Sequence, residues 1–220
     1  MIFGFSCVNF DSVFVFFAQT HLKLNLMSTI IFKSSLANGF EWLSNFAQMP
    51  LVVDLADDSQ LYFEFNSTEE LYQRLKFASI DPTYGREMLF SGLDSKAIKQ
   101  RSGKGFYLTT WGNSKAVAKR QAESRFDQAL RLFENRYRDD AMMFALLHKF
   151  TQSSAMAAKL AATGTRVLHE RGRFKREYWS KTGQDMLGKM LMQVRDMSNV
   201  ERAVRLRELK QSLKGLIQNL

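Results

Sequence analysis

Cysteine is nearly missing from this chain: Cys7 is the only one in 220 residues. A single thiol cannot close an intramolecular disulfide, and no CxxC pair or Cys/His set at zinc-ligand spacing exists, which excludes a disulfide framework and a structural zinc site. The three histidines, His21, His148 and His169, are too scattered to suggest a metal site. No metal and no cofactor is therefore expected, and the scarcity of cysteine favours a reducing, cytoplasmic setting. Proline is also scarce, at two residues, and there is no low-complexity tract or internal repeat. Long apolar runs are lacking too. The most apolar stretch, residues 13–17 (VFVFF), is far shorter than the roughly 20 residues a membrane span needs, so no membrane partner is expected. It is a poor secretory signal as well, with no basic region before it and no small-residue cleavage site after it.

What is present is the composition of a packed globule, 45% hydrophobic and 24% charged, in a chain long enough for one domain with appendages. The net charge of +9 is unevenly spread. Residues 1–100 carry 7 basic against 11 acidic side chains, and residues 101–220 carry 24 against 11. The second half is thus the anion-facing one, suited to a polyphosphate, a nucleic acid or simply a solvated basic surface. Residues 1–26 read as an upstream extension or as a strand packed on the domain. Met27-Ser28-Thr29 stands as a second start ahead of Ile30-Ile31-Phe32.

Between 29 and 65, β-branched and aromatic bursts separated by Asn/Gly and Asp/Ser clusters predict short strands at 30–32, 51–53 and 61–65, with a hairpin tip at 56–60. The period then turns helical, predicting a helix over 68–79 with Asn66, Ser67 or Thr68 as N-cap. Residues 81–112 are glycine-rich and read as an irregular connection with one short helix at 95–101. Residues 114–150 read as strongly helical, followed by a helix at 153–162 and a strand at Val167-Leu168. Next comes the basic stretch of Arg171, Arg173, Lys175 and Arg176, running into Tyr178-Trp179. Basic residues interleaved with aromatics hold phosphates and stack bases, or form a solvated loop. Helices at 184–196 and 200–218 complete the chain, the last with Val200, Val204, Leu209, Leu213, Leu216 and Leu220 as an apolar docking stripe.

One helix carries candidate chemistry. In the helix predicted over 68–79, Glu69, Tyr72 or Gln73, and Lys76 fall on a shared face, because steps of three, four and seven return to one side. A carboxylate and an amine two turns apart can reach one ligand, although the spacing by itself equally describes a solvated face.

Four ordered blocks resemble the NADAR/YbiA-like family: Gly39-Phe40-Glu41-Trp42-Leu43-Ser44-Asn45-Phe46 with Pro50; Thr68-Glu69 through Tyr72-Gln73 to Lys76-Phe77; Ala116-Val117-Ala118-Lys119-Arg120; and Tyr178-Trp179 leading into Gly183-Gln184-Asp185-Met186-Leu187-Gly188 and Leu191-Met192-Gln193-Val194-Arg195. The resemblance spans about residues 39–196. It implies an α+β fold, predominantly helical, with a small sheet of short strands near the N-terminal part. The catalytic domain would run over 27–198, followed by a C-terminal amphipathic helix at 199–220. It also implies an N-glycosidase that acts either on ADP-ribose attached to guanine, in DNA or a nucleotide, or on an amino-sugar intermediate of riboflavin synthesis. The basic half favours the first, with an antitoxin or phage counter-defence role; a binder of ADP-ribose or DNA that does not cleave is the remaining reading.

By motif match, Glu69 is the carboxylate near the sugar C1 and Lys76 the amine able to form a Schiff base. Asn45, Phe46, Tyr72 and Gln73 build the pocket, and Trp179 stacks on a ring or fills the core. The chain departs from the family pattern where Trp179-Ser180-Lys181-Thr182-Gly183 replaces Trp-Gly-Asp-Gly, and where Asp185 replaces Asn. Asp185 is accordingly a candidate for the displaced carboxylate.

Overall fold

The computed structural model describes residues 29–54, 62–89, 93–110, 116–172, 178–180 and 182–220. The 1–26 extension, the expected hairpin tip at 56–60, and Arg173, Lys175 and Arg176 lie outside them.

Local sequence sets most elements. The three β-branched and aromatic bursts become β1 (Thr29–Phe32), β2 (Leu51–Asp54) and β3 (Tyr62–Phe65). In β1, Ile30 and Phe32 are buried while Thr29 and Ile31 face out, the two-residue period of a strand with one buried face. β2 and β3 pair antiparallel, Leu51 opposite Phe65. Helix α1 (Thr68–Ile80) begins at Ser67, whose hydroxyl accepts the Glu70 N–H, and the Glu70 carboxylate reaches back to accept the Asn66 N–H at 2.7 Å. Two donors of the first turn's approach are satisfied in this way, as in a capping box shifted by one residue.

The expected irregular connection after 81 is instead three helices, α2 (Pro82–Leu89), α3 (Ser95–Arg101) and α4 (Lys104–Thr110). Pro82 occupies a first helical position, where its missing N–H costs nothing, and the Asp81 carboxylate accepts the Tyr84 N–H at 3.0 Å. Gly85 marks a close approach and not a turn: a Cβ there would lie 3.2 Å from the Phe77 Cβ. These helices close a second apolar cluster of Phe77, Tyr84, Ile98, Tyr107, Leu108 and Phe126.

The helical stretch that follows is two helices, α5 (Ala116–Arg136) and α6 (Arg138–Thr151). They part at Tyr137, whose backbone leaves helical values (φ −122°, ψ −16°) with no Gly or Pro to break the chain; Asp139 and Asp140 then favour a new helix start. From Ala141 to Leu147 every residue of α6 is buried, and a helix apolar on all sides is the central element of a core. Around it lie α1, α7 (Ser154–Ala161), α8 (Met186–Asp196) and α9 (Asn199–Ser212), with α10 (Lys214–Ile217) against α1. The expected last helix therefore breaks at Leu213. Only the second half of its apolar stripe docks, since Val200 and Val204 are 73% and 40% exposed while Leu209, Leu213 and Leu216 are buried. Residues of α9 and α10 share one core with Phe32, Leu71 and Phe144.

The chain is mostly helical α+β, but its strands do not form one sheet. β4 (Val167–Glu170) pairs in parallel with β1, Thr29 beside Val167 through Phe32 beside Glu170, apart from the β2–β3 hairpin. α8 crosses β4 at Gly188, where an added Cβ would meet the Leu168 carbonyl oxygen at 2.1 Å. Replacing Gly188 by Ala must push helix from strand, and overpacking of this kind costs about 3 kcal/mol. Thermal unfolding of Gly188→Ala is expected to show a midpoint lowered by about 6 to 12 °C; an unchanged midpoint would contradict this packing.

Candidate active site

The first turns of α1 are not a solvated face. Glu69 is 1% exposed and Gln73 0%, and Glu70 and Arg74 beside them are buried too. A carboxylate out of water needs donors at both oxygens. Here the Asn45 Nδ2–H donates to one Glu69 oxygen, and the Gln73 Nε2–H donates to the other at 2.7 Å. The Lys99 ammonium of α3 stands 3.4 Å from the same oxygen as Gln73. The Asn45 carbonyl in turn accepts the Glu69 N–H at 2.9 Å, so Asn45 grips the residue by backbone and side chain. Every side-chain contact supplies a donor or a cation, an arrangement suited to a carboxylate that stabilises positive charge.

The segment carrying Asn45 is held from behind by a residue with no sequence signal. Lys149 of α6 is fully buried and donates to the Trp42 and Ser44 carbonyls at 2.6 and 2.9 Å. Among the described residues no carboxylate pairs with it, and burial alone lowers its amine to about 7.

In front of Glu69 opens a cleft of about 370 Å³. Asn45, Phe46 and Glu69 form one wall, Lys99 and Lys33 bring positive charge, and Glu170, Arg171 and Gly172 with Tyr178 and Trp179 form the other. Lys33 follows β1 and Glu170 ends β4, so the parallel β1–β4 pairing delivers both; the Arg171 N–H continues the ladder to the Phe32 carbonyl at 2.8 Å.

Of the residues singled out from sequence, Glu69, Asn45, Phe46, Arg171 and Trp179 meet at this cleft, and Arg173, Lys175 and Arg176 fall outside the described residues. Tyr72, Gln73, Lys76 and Asp185 do not line it. Tyr72 is buried edge-on between Phe133 and Trp179, with ring centroids 5.7 and 5.6 Å away. Burial, then the Glu69 charge, pushes its phenol up, so it serves as packing beneath the Trp179 wall. Gln73 acts only through Glu69. Lys76 is half-buried and donates to the Ser102 carbonyl at 3.1 Å. Burial first, then the neighbouring Lys99 charge, lowers its amine to about 7, against the opposing pull of Glu69 and Glu134.

Asp185 stands at the head of α8 in a left-handed conformation (φ 54°, ψ 38°). One carboxylate oxygen contacts His169 Nδ1, and the other accepts the Glu170 N–H at 3.3 Å. It fixes the end of β4 that carries Glu170 and Arg171 to the cleft. Asn and Asp both tolerate left-handed backbone, so the exchange relative to the family pattern leaves this geometry available.

Lys33, Lys99 and Glu170 are cleft residues that sequence reasoning missed. Glu170 lies two residues past the predicted strand at 167–168, at the strand end that parallel pairing brings beside β1; Lys99, one of two lysines on a short helix, carries no such signal. Among the described residues no group of three or more His, Cys, Asp or Glu side chains could hold a metal ion, and no helix is long and apolar enough to cross a membrane.

Fold and site together define a mostly helical α+β protein with a buried carboxylate at the head of a helix, facing a cleft bordered by cations. The fold is similar to that of the E. coli protein YbiA, solved by NMR, with a TM-score of 0.52 and 24% identity over 77% of this chain and 84% of that one. No protein-family profile matches the chain, and no curated protein sequence does.

Lys149 generates a prediction. Its lowered basicity means that, between about 7 and its ordinary 10.5, the unfolded chain binds a proton that the folded chain does not. Its contribution to stability therefore rises with pH across that window and is smallest below it. The unfolding free-energy difference between wild type and Lys149→Met, followed by denaturant titration, is expected to widen in favour of wild type as pH rises from neutral. A flat difference would mean that Lys149 stays protonated.

Proposed function

We propose that the chain is an N-glycosidase that hydrolyses the bond between ADP-ribose and guanine, in DNA or a nucleotide. The observation that carries this reading is Glu69, buried and held by three donors at the floor of a cleft that also presents Lys33, Lys99 and Arg171. Cleavage leaves positive charge on the ribose C1 and ring oxygen as the base departs with the bonding pair and takes up a proton; water then adds to C1. A fixed carboxylate beside C1 lowers the energy of that cationic state, and the cations match a pyrophosphate. Asn45 Oδ1 is buried, accepts no hydrogen bond among the described residues, and belongs to a cleft-lining side chain, so a sugar hydroxyl would satisfy it. The YbiA-like fold and the motif resemblance support the same class of enzyme. Removal of toxin-attached ADP-ribose, as an antitoxin or a phage counter-defence protein, is the biological role this activity would serve.

The resemblance also assigns Lys76 as the covalent amine. Its lowered basicity suits a nucleophile at neutral pH, but its Nζ must leave the Ser102 carbonyl to reach a ribose aldehyde. Borohydride reduction during turnover is expected to trap a ribose adduct on Lys76; an adduct that persists in Lys76→Ala, for example on Lys99, refutes that role. For the reaction itself, Glu69→Gln keeps the shape and removes the charge, and should lower kcat by about 10²- to 10³-fold. Free ADP-ribose released from an ADP-ribosylated guanine nucleotide, measured by chromatography, checks this. Equal turnover by both proteins, or none by the wild type, would sink the proposal.

A further inference from the structure

We infer that the exposed face of α5 is a nucleic-acid interface that leads a phosphate backbone to the cleft. This deepens the reading above by making the guanine part of a polynucleotide, and it rests on that reading only for what happens at the cleft.

Arg120, Arg125, Arg131 and Arg136 are all exposed along this one helix. The acidic residues of α5 cancel part of this charge, and the four arginines with Lys104 of α4 still outnumber its three carboxylates by two. Glu123 and Asp127 are both bound to Lys104 of α4, at 2.9 and 2.7 Å. Glu134, the remaining carboxylate, raises the basicity of Lys76 and of the Tyr72 phenol. Arg120, Arg125 and Arg131 form no ion pair among the described residues, and Arg136 lies over the Tyr137 ring at 5.1 Å. At roughly 100° and 1.5 Å per residue, Arg120 and Arg131 share one stripe and Arg125 and Arg136 another about 140° around the helix, so two basic stripes border the exposed Gln121 and Gln128 over a length of about 24 Å.

The stripes have a direction. α5 lies antiparallel across α1, Phe126 meeting Phe77 at 6.2 Å and Phe133 meeting Tyr72 at 5.7 Å, so its C-terminal end reaches the Glu69 end of α1. Tyr72 there touches Trp179, and Arg138, two residues past Arg136, stacks at 3.4 Å on the Tyr178 ring. Tyr178 and Trp179 are cleft walls. The arginines thus run from the cleft margin outward. Guanidinium groups match phosphate oxygens in pairs, and exposed Gln121 and Gln128 add neutral donors between them. Leu132 is the one large exposed apolar side chain on the described part of this helix, so the apolar anchors of a protein interface are lacking.

The test uses the full chain and an unmodified DNA duplex of about 20 base pairs, with fluorescence anisotropy at several salt concentrations. Wild type should bind with log affinity falling linearly against log salt. The triple variant Arg120→Gln, Arg125→Gln, Arg131→Gln should bind at least about tenfold more weakly near 0.1 M salt, with the slope reduced by about 2 to 3. Its turnover of a free ADP-ribosylated guanine nucleotide should equal that of wild type. Wild type that shows no salt-dependent binding, or a triple variant with an unaltered slope, overturns the inference. Arginine-dependent binding by a protein that releases no ADP-ribose supports the interface and rejects the hydrolase reading.

Discussion

A carboxylate removed from water loses hydration worth several kcal/mol, and the fold must return that stabilisation through donors held in place. Glu69 imposes this requirement on the whole neighbourhood. Asn45 and Gln73 donate to its two oxygens, and Lys99 adds charge from a different helix. Each donor then has to be fixed in turn. Lys149 ties down the carbonyls around Asn45, while the Ser95 hydroxyl of α3 donates to the Ser67 hydroxyl at 2.6 Å and accepts from Gln48 at 2.9 Å. The head of α1 is therefore held by the loop at 39–48, by α3 and by α6 together. A carboxylate so fixed needs little reorganisation when positive charge develops in front of it.

The second organiser is the parallel pairing of β1 with β4. Parallel strands end at the same edge, so Lys33 and Glu170 with Arg171 arrive together at the cleft that Glu69 also lines. This ladder is only four residues long, and two features of α8 support it. Gly188 lets the helix cross against the Leu168 carbonyl, and left-handed Asp185 binds the end of the strand through His169 and the Glu170 N–H. The residue that departs from the family pattern thus serves the cleft through the backbone it holds.

The charge of the C-terminal half divides into two uses. Arg166 donates to the Ala162 and Thr163 carbonyls, Arg195 to the Arg166 carbonyl at 2.7 Å, and Arg202 to the Val194 carbonyl at 3.0 Å. These guanidiniums satisfy carbonyls at helix ends and turns, where cations are favourable. Among the described residues the exposed arginines of α5 donate to no such carbonyl. A sum over sequence counts both groups alike, although the first is engaged with backbone carbonyls and the second is exposed.

Periodicity and composition were enough to locate the strands at 29–32, 51–54 and 62–65, the helix from Thr68 and the short helix Ser95–Arg101, because each rests on local preferences of a few residues. The motif resemblance pointed to Glu69, Asn45, Phe46 and Trp179, and the basic run to Arg171, five residues that share the cleft. Glycine misled where it served packing: Gly85 reads as a turn but lies inside a helix against Phe77. The break at Tyr137 was faint, since no Gly or Pro stands there and only Asp139 and Asp140 mark a new helix start.

What the sequence determined by itself was the short strands, the helix from Thr68 and the polar face of that helix bearing Glu69 and Lys76. Whether that face met water or the interior was a tertiary decision. So were the entry of Lys99 and Lys33 into the cleft, the displacement of Lys76 and Asp185 from its lining, and the burial of Lys149. The physical reason is that spacing fixes which side chains share a side of one helix, whereas burial and partnership depend on segments 24 to 105 positions away, such as Asn45 against Glu69 and Lys149 against Ser44.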